Sequence, residues 1–325
     1  MILIAYGTRP EYIKVKPVID LLGDKCKILF TGQHSSLFNT DWDYNMDPPD
    51  GVNRLDSIVE GVMNGMDFTP YTHVMVHGDT TSAMAVALSA FHQGVPVIHL
   101  EAGLRTYRPD PHPEEANRRI ISQLASIHLC PTSDNWVNLE NEQMSGSKHI
   151  VGNTAIDNIV KWKKKAEYGD SVLVTMHRRE NLPIMDEWFI AINNIAKRHD
   201  NLKFIIPLHP NPDVQEHAHL LTHVDVISPL PREELLDILS KARVVITDSG
   251  GIQEECSYLN KKCLTCREST ERPEALFDST FLVRNPGDLF SVFESHVNDY
   301  EISYPCPFGD GDSAQRVYNV LKGVI

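Results

Sequence analysis

Residues 243–258 read Arg243-Val-Val-Ile-Thr-Asp-Ser-Gly-Gly-Ile-Gln-Glu-Glu-Cys-Ser-Tyr258. A short apolar run near 243–247 stops at Asp248-Ser249-Gly250-Gly251, and a helical stretch follows near 251–258. A buried strand that turns through glycines into a helix is one step of a parallel sheet covered by helices. The same step repeats outward in both directions. Further strands are expected near 171–175, 203–206, 224–226 and 263–265, with helices near 184–199, 212–221 and 232–241. Toward the N-terminus strands fall near 2–6, 27–31, 73–77, 96–100, 127–130 and 148–151, with helices near 10–22, 81–93, 114–124 and 134–143. This alternation predicts an α/β protein made of two Rossmann-like domains facing a cleft.

The polar stretch Trp162-Lys-Lys-Lys-Ala-Glu-Tyr-Gly-Asp170 reads as a hinge. It separates an N-terminal domain, 1–162, from a C-terminal domain, 171–311, and a last helix within 312–325 is expected to pack back on the first. A chain of 325 residues is ample for two such cores. No apolar run reaches the roughly 20 residues that cross a bilayer. Met1-Ile-Leu-Ile-Ala-Tyr-Gly7 lacks a basic leader and reads as a first buried strand, so the expected location is the cytoplasm. The six scattered cysteines are expected to be reduced, and Cys263-Leu-Thr-Cys266 lacks two further ligands at zinc spacing, so no metal is expected. A net charge of -14 argues against nucleic-acid or membrane partners. It still allows a diphosphate held by a few cations and helix starts.

The strand ends carry the chemistry. Gly7-Thr-Arg-Pro-Glu11 turns into a helix and reads equally as a plain strand-to-helix turn or as backbone N–H groups offered to an anion, with Arg9 and Lys14 nearby. His77-Gly-Asp79 follows the third strand, where Asp79 reads equally as a helix N-cap. Glu101 follows the next strand, and Glu114 opens the helix after it. Three carboxylates from successive strand ends can surround one sugar ring as acid, base and charge stabiliser. The second half supplies donors. His177 and His209 end two strands, Ser249-Gly250-Gly251 forms a phosphate cradle, Glu255 is placed for ribose hydroxyls, and Arg272 adds a cation. No glycine fingerprint of a dinucleotide binder is present, so no redox cofactor is expected.

In order, the chain shows Gly7-Thr-Arg-Pro-Glu11, Gly78-Asp-Thr-Thr81, Glu101-Ala-Gly-Leu-Arg105, Pro113-Glu-Glu-Ala-Asn-Arg118, His177-Arg-Arg-Glu180, Asp248-Ser-Gly-Gly-Ile-Gln-Glu-Glu255 and Glu271-Arg-Pro-Glu-Ala275. This set resembles the non-hydrolysing UDP-N-acetylglucosamine 2-epimerases and ends with Phe308-Gly-Asp-Gly311. The resemblance implies a glycosyltransferase-B-like fold, a homodimer, a UDP-sugar substrate and a product, UDP-N-acetylmannosamine, used for surface polysaccharides. It implies that Asp79, Glu101 and Glu114 are catalytic, with His177 beside them. It puts Arg9, Lys14, His177, Ser249, Gly250, Gly251, Glu255 and Arg272 on UDP, with Leu230 and Leu235 near the uracil. The implied route expels UDP, forms 2-acetamidoglucal, and adds UDP back after proton return on the other face. Many members bind a second substrate molecule as activator through two glutamines three apart. Here Gln33 and Arg178 remain, Ser36 replaces the second glutamine, and the segment from Phe38 to Thr72 is short. Alternatives on the same fold are a 2-epimerase of a UDP-diacetamido-uronic acid and a glycosyltransferase.

Overall fold

The computed structural model describes residues 1–33, 42–46 and 53–325, which divide into two compact units. Met1–Asn158 with Gly309–Ile325 forms the first, and Ile159–Phe308 the second.

In the first unit the strands are β1 (Ile2–Tyr6), β2 (Cys26–Phe30), β3 (Tyr44–Asn45), β4 (His73–His77), β5 (Val97–Leu100), β6 (Ala125–Cys130) and β7 (Ser147–Ile150). They alternate with α1 (Arg9–Leu22), α2 (Arg54–Gly65), α3 (Thr81–His92), α4 (Glu114–Leu124), α5 (Ser133–Asn141) and α6 (Thr154–Asp157). Among the described residues the sheet order is β3-β2-β1-β4-β5-β6-β7, with every pairing parallel. β1 shows why the sheet is covered twice. Ile2, Ile4 and Tyr6 pack with Val15 and Val18 of α1, while Leu3 and Ala5 pack with Val86 and Ala90 of α3. The two-residue alternation of a strand thus buries both faces, which a parallel sheet requires.

The second unit repeats this plan with β8 (Ser171–Thr175), β9 (Lys203–Pro207), β10 (Asp225–Ile227), β11 (Ala242–Thr247), β12 (Lys262–Cys266) and β13 (Thr280–Val283). Its helices are α7 (Val160–Lys163), α8 (Met185–Arg198), α9 (Pro212–Gln215), α10 (Arg232–Lys241), α11 (Gly250–Tyr258) and α12 (Leu289–His296). The order is β10-β9-β8-β11-β12-β13, again all parallel. In each unit the first strand sits between neighbours whose connections run to opposite sides. These are the topological switch points, at the ends of β1 and β4 and of β8 and β11, where open α/β sheets bind ligands.

The last helix, α13 (Ser313–Leu321), belongs to the first unit. Its Ala314, Val317 and Leu321 join the core built on β1 and α1, and its first N–H groups donate to Asp157 at 3.2 and 2.8 Å. The stretch 162–170, read as a hinge, lies within the second unit and is tied to it. Trp162 Nε1 donates to Asp237 at 2.7 Å, and the buried Lys261 donates to the carbonyls of Ala242 and Glu167. Burial pushes the Lys261 ammonium down to about 8.

Local differences from the sequence reading are few. A single helix over 212–221 is instead the short α9 followed by a tight turn at Ala218–Leu220, because Val214 is the only buried residue α9 contributes. β3, α2, α6, α7, β13 and α12 were not expected. Cys263 and Cys266 are fully buried on β12, and burial pushes the Cys266 thiol well up. Among the described residues no helix is long and apolar enough to cross a membrane, and no cluster of three His, Cys, Asp or Glu could hold a metal.

Candidate active site

At the first switch point the turn after β1 is closed from inside. Glu11 folds back so that its Oε2 accepts from the N–H groups of Gly7 at 2.9 Å and Thr8 at 2.8 Å. Its Oε1 accepts from the Thr80 hydroxyl at 2.7 Å, which joins this turn to the one after β4. The Gly7 and Thr8 N–H groups are therefore taken within the protein, as in the plain strand-to-helix reading of this turn. Arg9 stands exposed at the first position of α1, and Lys14, one turn on, forms an ion pair with Glu101.

Asp79 is not the N-cap of α3. Thr80 takes that role, its hydroxyl accepting from the Ala83 N–H at 3.1 Å. Asp79 instead pairs with Arg118 of α4 at 2.7 Å, and its carbonyl accepts from the Asn117 amide at 2.9 Å. The next carboxylate follows the neighbouring strand, since His77 of β4 is in register with Leu100 of β5. Glu101 has a left-handed backbone (φ 67), and Gly103 two residues later has φ 90. A Cβ on Gly103 would lie 2.2 Å from the Asn135 carbonyl oxygen, so only glycine lets the chain turn here. Glu101 Oε2 receives Lys14, His77 Nε2 at 2.9 Å and the Asn153 amide at 3.5 Å. His77 and Asn153 were missed as site residues. The position of His77 directly before Gly78-Asp79 was the available signal.

Glu114 and Glu115 divide the work at the start of α4. Glu115 is buried and holds the preceding loop, accepting from the N–H groups of Thr106 at 3.0 Å and Tyr107 at 3.3 Å and pairing with Arg118 at 2.9 Å. Burial raises its carboxyl, but the Thr106 hydrogen bond and the Arg118 guanidinium outweigh this and leave it lowered. Glu114 is half-buried and makes no hydrogen bond or ion pair among the described residues. Gln33 accepts from the Ser82 hydroxyl at 2.8 Å and its N–H at 3.2 Å, so its amide oxygen anchors α3. Ser36 lies outside the described residues.

In the second unit the fully buried Asp248 organises the other switch point. Its carboxylate accepts from the N–H groups of His177 at 2.9 Å and Arg178 at 2.8 Å and from the Asn181 amide at 3.1 Å. The His177 ring lies against His209, centroids 5.2 Å apart and 19° from parallel. Burial, then the neighbouring His177, pushes His209 down. Ser249 is the N-cap of α11 but makes no side-chain cap bond, so its hydroxyl is not spent on the first turn. The amides at a helix start lack intrahelical partners and carry partial positive charge.

Gly250 lets Arg272 lie over that helix start, for a Cβ there would come within 2.5 Å of Arg272 Nη1. Arg272 is held by Glu254 and Glu271, and Glu271 also takes Arg267 at 2.9 Å. Arg178 comes to 3.9 Å from Glu271. Glu255 is buried and paired with Arg232 of α10 at 2.7 Å, a partner that sequence reasoning missed. Leu230 and Leu235 are half-buried beside this pair's helix, and the Leu235 N–H is taken by the Pro231 carbonyl at 3.1 Å.

Comparison with known proteins agrees with the ordered motifs. Residues 24–322 match the protein family described as UDP-N-acetylglucosamine 2-epimerase. A UDP-N-acetylglucosamine 2-epimerase of Campylobacter jejuni is 36% identical, with 98% of this chain and 97% of the relative covered. That alignment runs over 375 residues against the 325 of this chain, so the relative carries segments this chain lacks. The structure of the Neisseria meningitidis UDP-GlcNAc 2-epimerase bound to UDP-GlcNAc is 34% identical, with a TM-score of 0.86 and 98% and 99% of the two chains covered. The Methanocaldococcus jannaschii enzyme in complex with UDP-GlcNAc and UDP is 29% identical, with a TM-score of 0.86 and 99% of each chain covered. Sequence and fold agree over nearly the whole chain, and the protein belongs to the UDP-N-acetylglucosamine 2-epimerase family.

Proposed function

We propose that this chain interconverts UDP-N-acetylglucosamine and UDP-N-acetylmannosamine by elimination and re-addition of UDP. The observation that carries this is the pair of carboxylates leaving adjacent strands β4 and β5, with Glu114 opening the helix after β5. The C2 hydrogen of the sugar is too weakly acidic to leave alone. As the C1–O bond breaks and its electrons depart with UDP, a carboxylate takes the C2 proton and the C1=C2 bond of 2-acetamidoglucal forms. A second carboxylate returns a proton to the opposite face, and UDP adds again at C1.

The residues divide by task. Glu101, Asp79 and Glu114 act on the sugar. Ser249, the amides of Gly250 and Gly251, Arg272 and His177 hold the leaving diphosphate and stabilise its developing charge. Glu255 takes the ribose, with Arg9 and His209 as further contacts. The working protein is a cytoplasmic homodimer that feeds polysaccharide synthesis. Incubation with UDP-N-acetylglucosamine alone tests the function, and NMR is expected to show the manno epimer accumulating without an acceptor. Transfer of the sugar only when an acceptor is added would favour a glycosyltransferase.

The same reading makes the enzyme independent of a substrate activator. Gln33 remains, but serine stands at 36 where activated members have a second glutamine, and the segment from Phe38 to Thr72 is short. Losing two hydrogen bonds at about 1 kcal/mol each weakens such a site by one to two orders of magnitude. Conversion of UDP-N-acetylmannosamine alone is expected to start without a lag. A lag abolished by a trace of UDP-N-acetylglucosamine would overturn this.

A further inference from the structure

The turn that carries Asp79 is held by a residue outside the proposed catalytic set. We infer that His99 is a positioning residue for Asp79, fixing the Gly78–Asp79 peptide from which that carboxylate reaches the sugar. This rests on the epimerase reading above, in which Asp79 acts on the sugar, and deepens it.

A glycine directly precedes the acid. Gly78 has a left-handed backbone (φ 67), and a Cβ built there would meet nothing within 4 Å. Gly78 itself therefore does little to brace the peptide that follows it. Its neighbours do so instead. The Gly78 N–H donates to the Leu100 carbonyl at 2.9 Å, which extends the β4–β5 pairing into the turn. The Gly78 carbonyl oxygen lies 2.8 Å from His99 Nε2. On the far side of the acid, the Asp79 carbonyl accepts from the Asn117 amide at 2.9 Å, and the Thr80 hydroxyl donates to Glu11 at 2.7 Å. The backbone of Asp79 is thus gripped on both flanks, while its partly exposed side chain pairs with Arg118 at 2.7 Å.

A carbonyl oxygen only accepts, so the His99 ring carries its proton on Nε2. The ring is fully buried, and its Nδ1 has no hydrogen-bond partner among the described residues. A second proton on Nδ1 would bury an unsatisfied, charged donor, so one neutral tautomer is kept. Burial pushes His99 down to about 3 against the pull of the Gly78 bond, with His128, Arg105 and His77 adding to the downward push. The donor is therefore present across the whole working range of pH. A buried phenylalanine would fill the same space, and the hydrogen bond to the turn is what histidine adds.

His99→Phe, His99→Gln and His99→Asn test the role in the full-length enzyme. Phe keeps the ring and removes the donor, and kcat is expected to fall about 10- to 100-fold, the effect of a catalytic group displaced by about 1 Å. KM and UDP affinity are expected to stay within about twofold. In His99→Gln the amide nitrogen lies near the Nε2 position, and most of kcat is expected to return. The shorter amide of His99→Asn falls near Nδ1, and that variant is expected to stay slow. Because His99 acts through Asp79, adding His99→Phe to Asp79→Asn is expected to lower kcat by less than about twofold beyond Asp79→Asn alone. Unchanged kcat in His99→Phe overturns the role. So do effects that multiply in the double variant, which would make His99 a packing residue. If His99→Phe does not fold, the Gln and Asn variants decide, and equal kcat in the two overturns the role. A wild-type chain that does not epimerise overturns the epimerase reading itself, and Asp79→Asn with wild-type turnover overturns the assignment of Asp79. Failure confined to the His99 variants leaves both standing.

Discussion

Glu114→Gln, Glu101→Gln and Asp79→Asn are each expected to lower turnover by about 10²- to 10⁴-fold, the usual contribution of a positioned general acid or base. UDP affinity is expected to change little, because none of the three carboxylates is among the proposed nucleotide contacts. The three variants are not equivalent. Asp79→Asn weakens a pair with the nearly buried Arg118, which Glu115 also holds, so some stability goes with activity. Glu101→Gln removes the negative charge that pairs with Lys14. The Glu114 side chain makes no hydrogen bond or ion pair among the described residues, so Glu114→Gln is the cleanest of the three. Steady-state kinetics paired with calorimetry of UDP binding checks this. Carboxylate variants that lose UDP binding while keeping turnover per bound substrate would reverse the assignment.

Arg272→Ala is expected to have the largest effect on the second unit, and it goes beyond ligand affinity. Its guanidinium is buried against Glu254 and Glu271, themselves almost wholly buried. Removing one partner of such a cluster leaves charge unpaired in a poorly solvated site and costs about 3–5 kcal/mol. Glu271 keeps Arg267, but Glu254 Oε2 already lacks a partner among the described residues, so most of the cost falls there. The variant is expected to melt well below the wild type and to bind UDP weakly. Ser249→Ala, whose hydroxyl caps nothing, is expected to keep its melting temperature and lose about 1 kcal/mol of UDP affinity. Thermal melts and calorimetry on both variants separate these effects. An Arg272→Ala protein as stable as the wild type would show that the cluster adds nothing to the fold.

Much of this was legible in the sequence because strand ends announce themselves. Ile2–Tyr6 and Ala242–Thr247 are apolar runs cut off by glycine-bearing turns, and Asp79, Glu101 and Ser249-Gly250-Gly251 stand just after such runs. Less legible were elements without a strong pattern. Thr280–Val283 is only four residues long, and α12 has no side-chain N-cap bond to mark its start. The closed turn after β1 was readable in principle, since Thr8-Arg-Pro-Glu11 has the spacing of a capping box. Pairings such as His77 with Glu101, 24 residues apart, and Arg232 with Glu255, 23 apart, arise only when strands and helices are set side by side. No local pattern encodes them.

The most direct test of the elimination route is NMR of the reaction run in deuterium oxide. Each turnover that removes the C2 proton to a carboxylate exposes it to solvent exchange before proton return. The expected result is deuterium at C2 of the manno product, with slight leakage of free UDP and 2-acetamidoglucal on long incubation. Epimer formed with full retention of the original C2 hydrogen would contradict proton abstraction by these carboxylates and point to transient oxidation at another carbon.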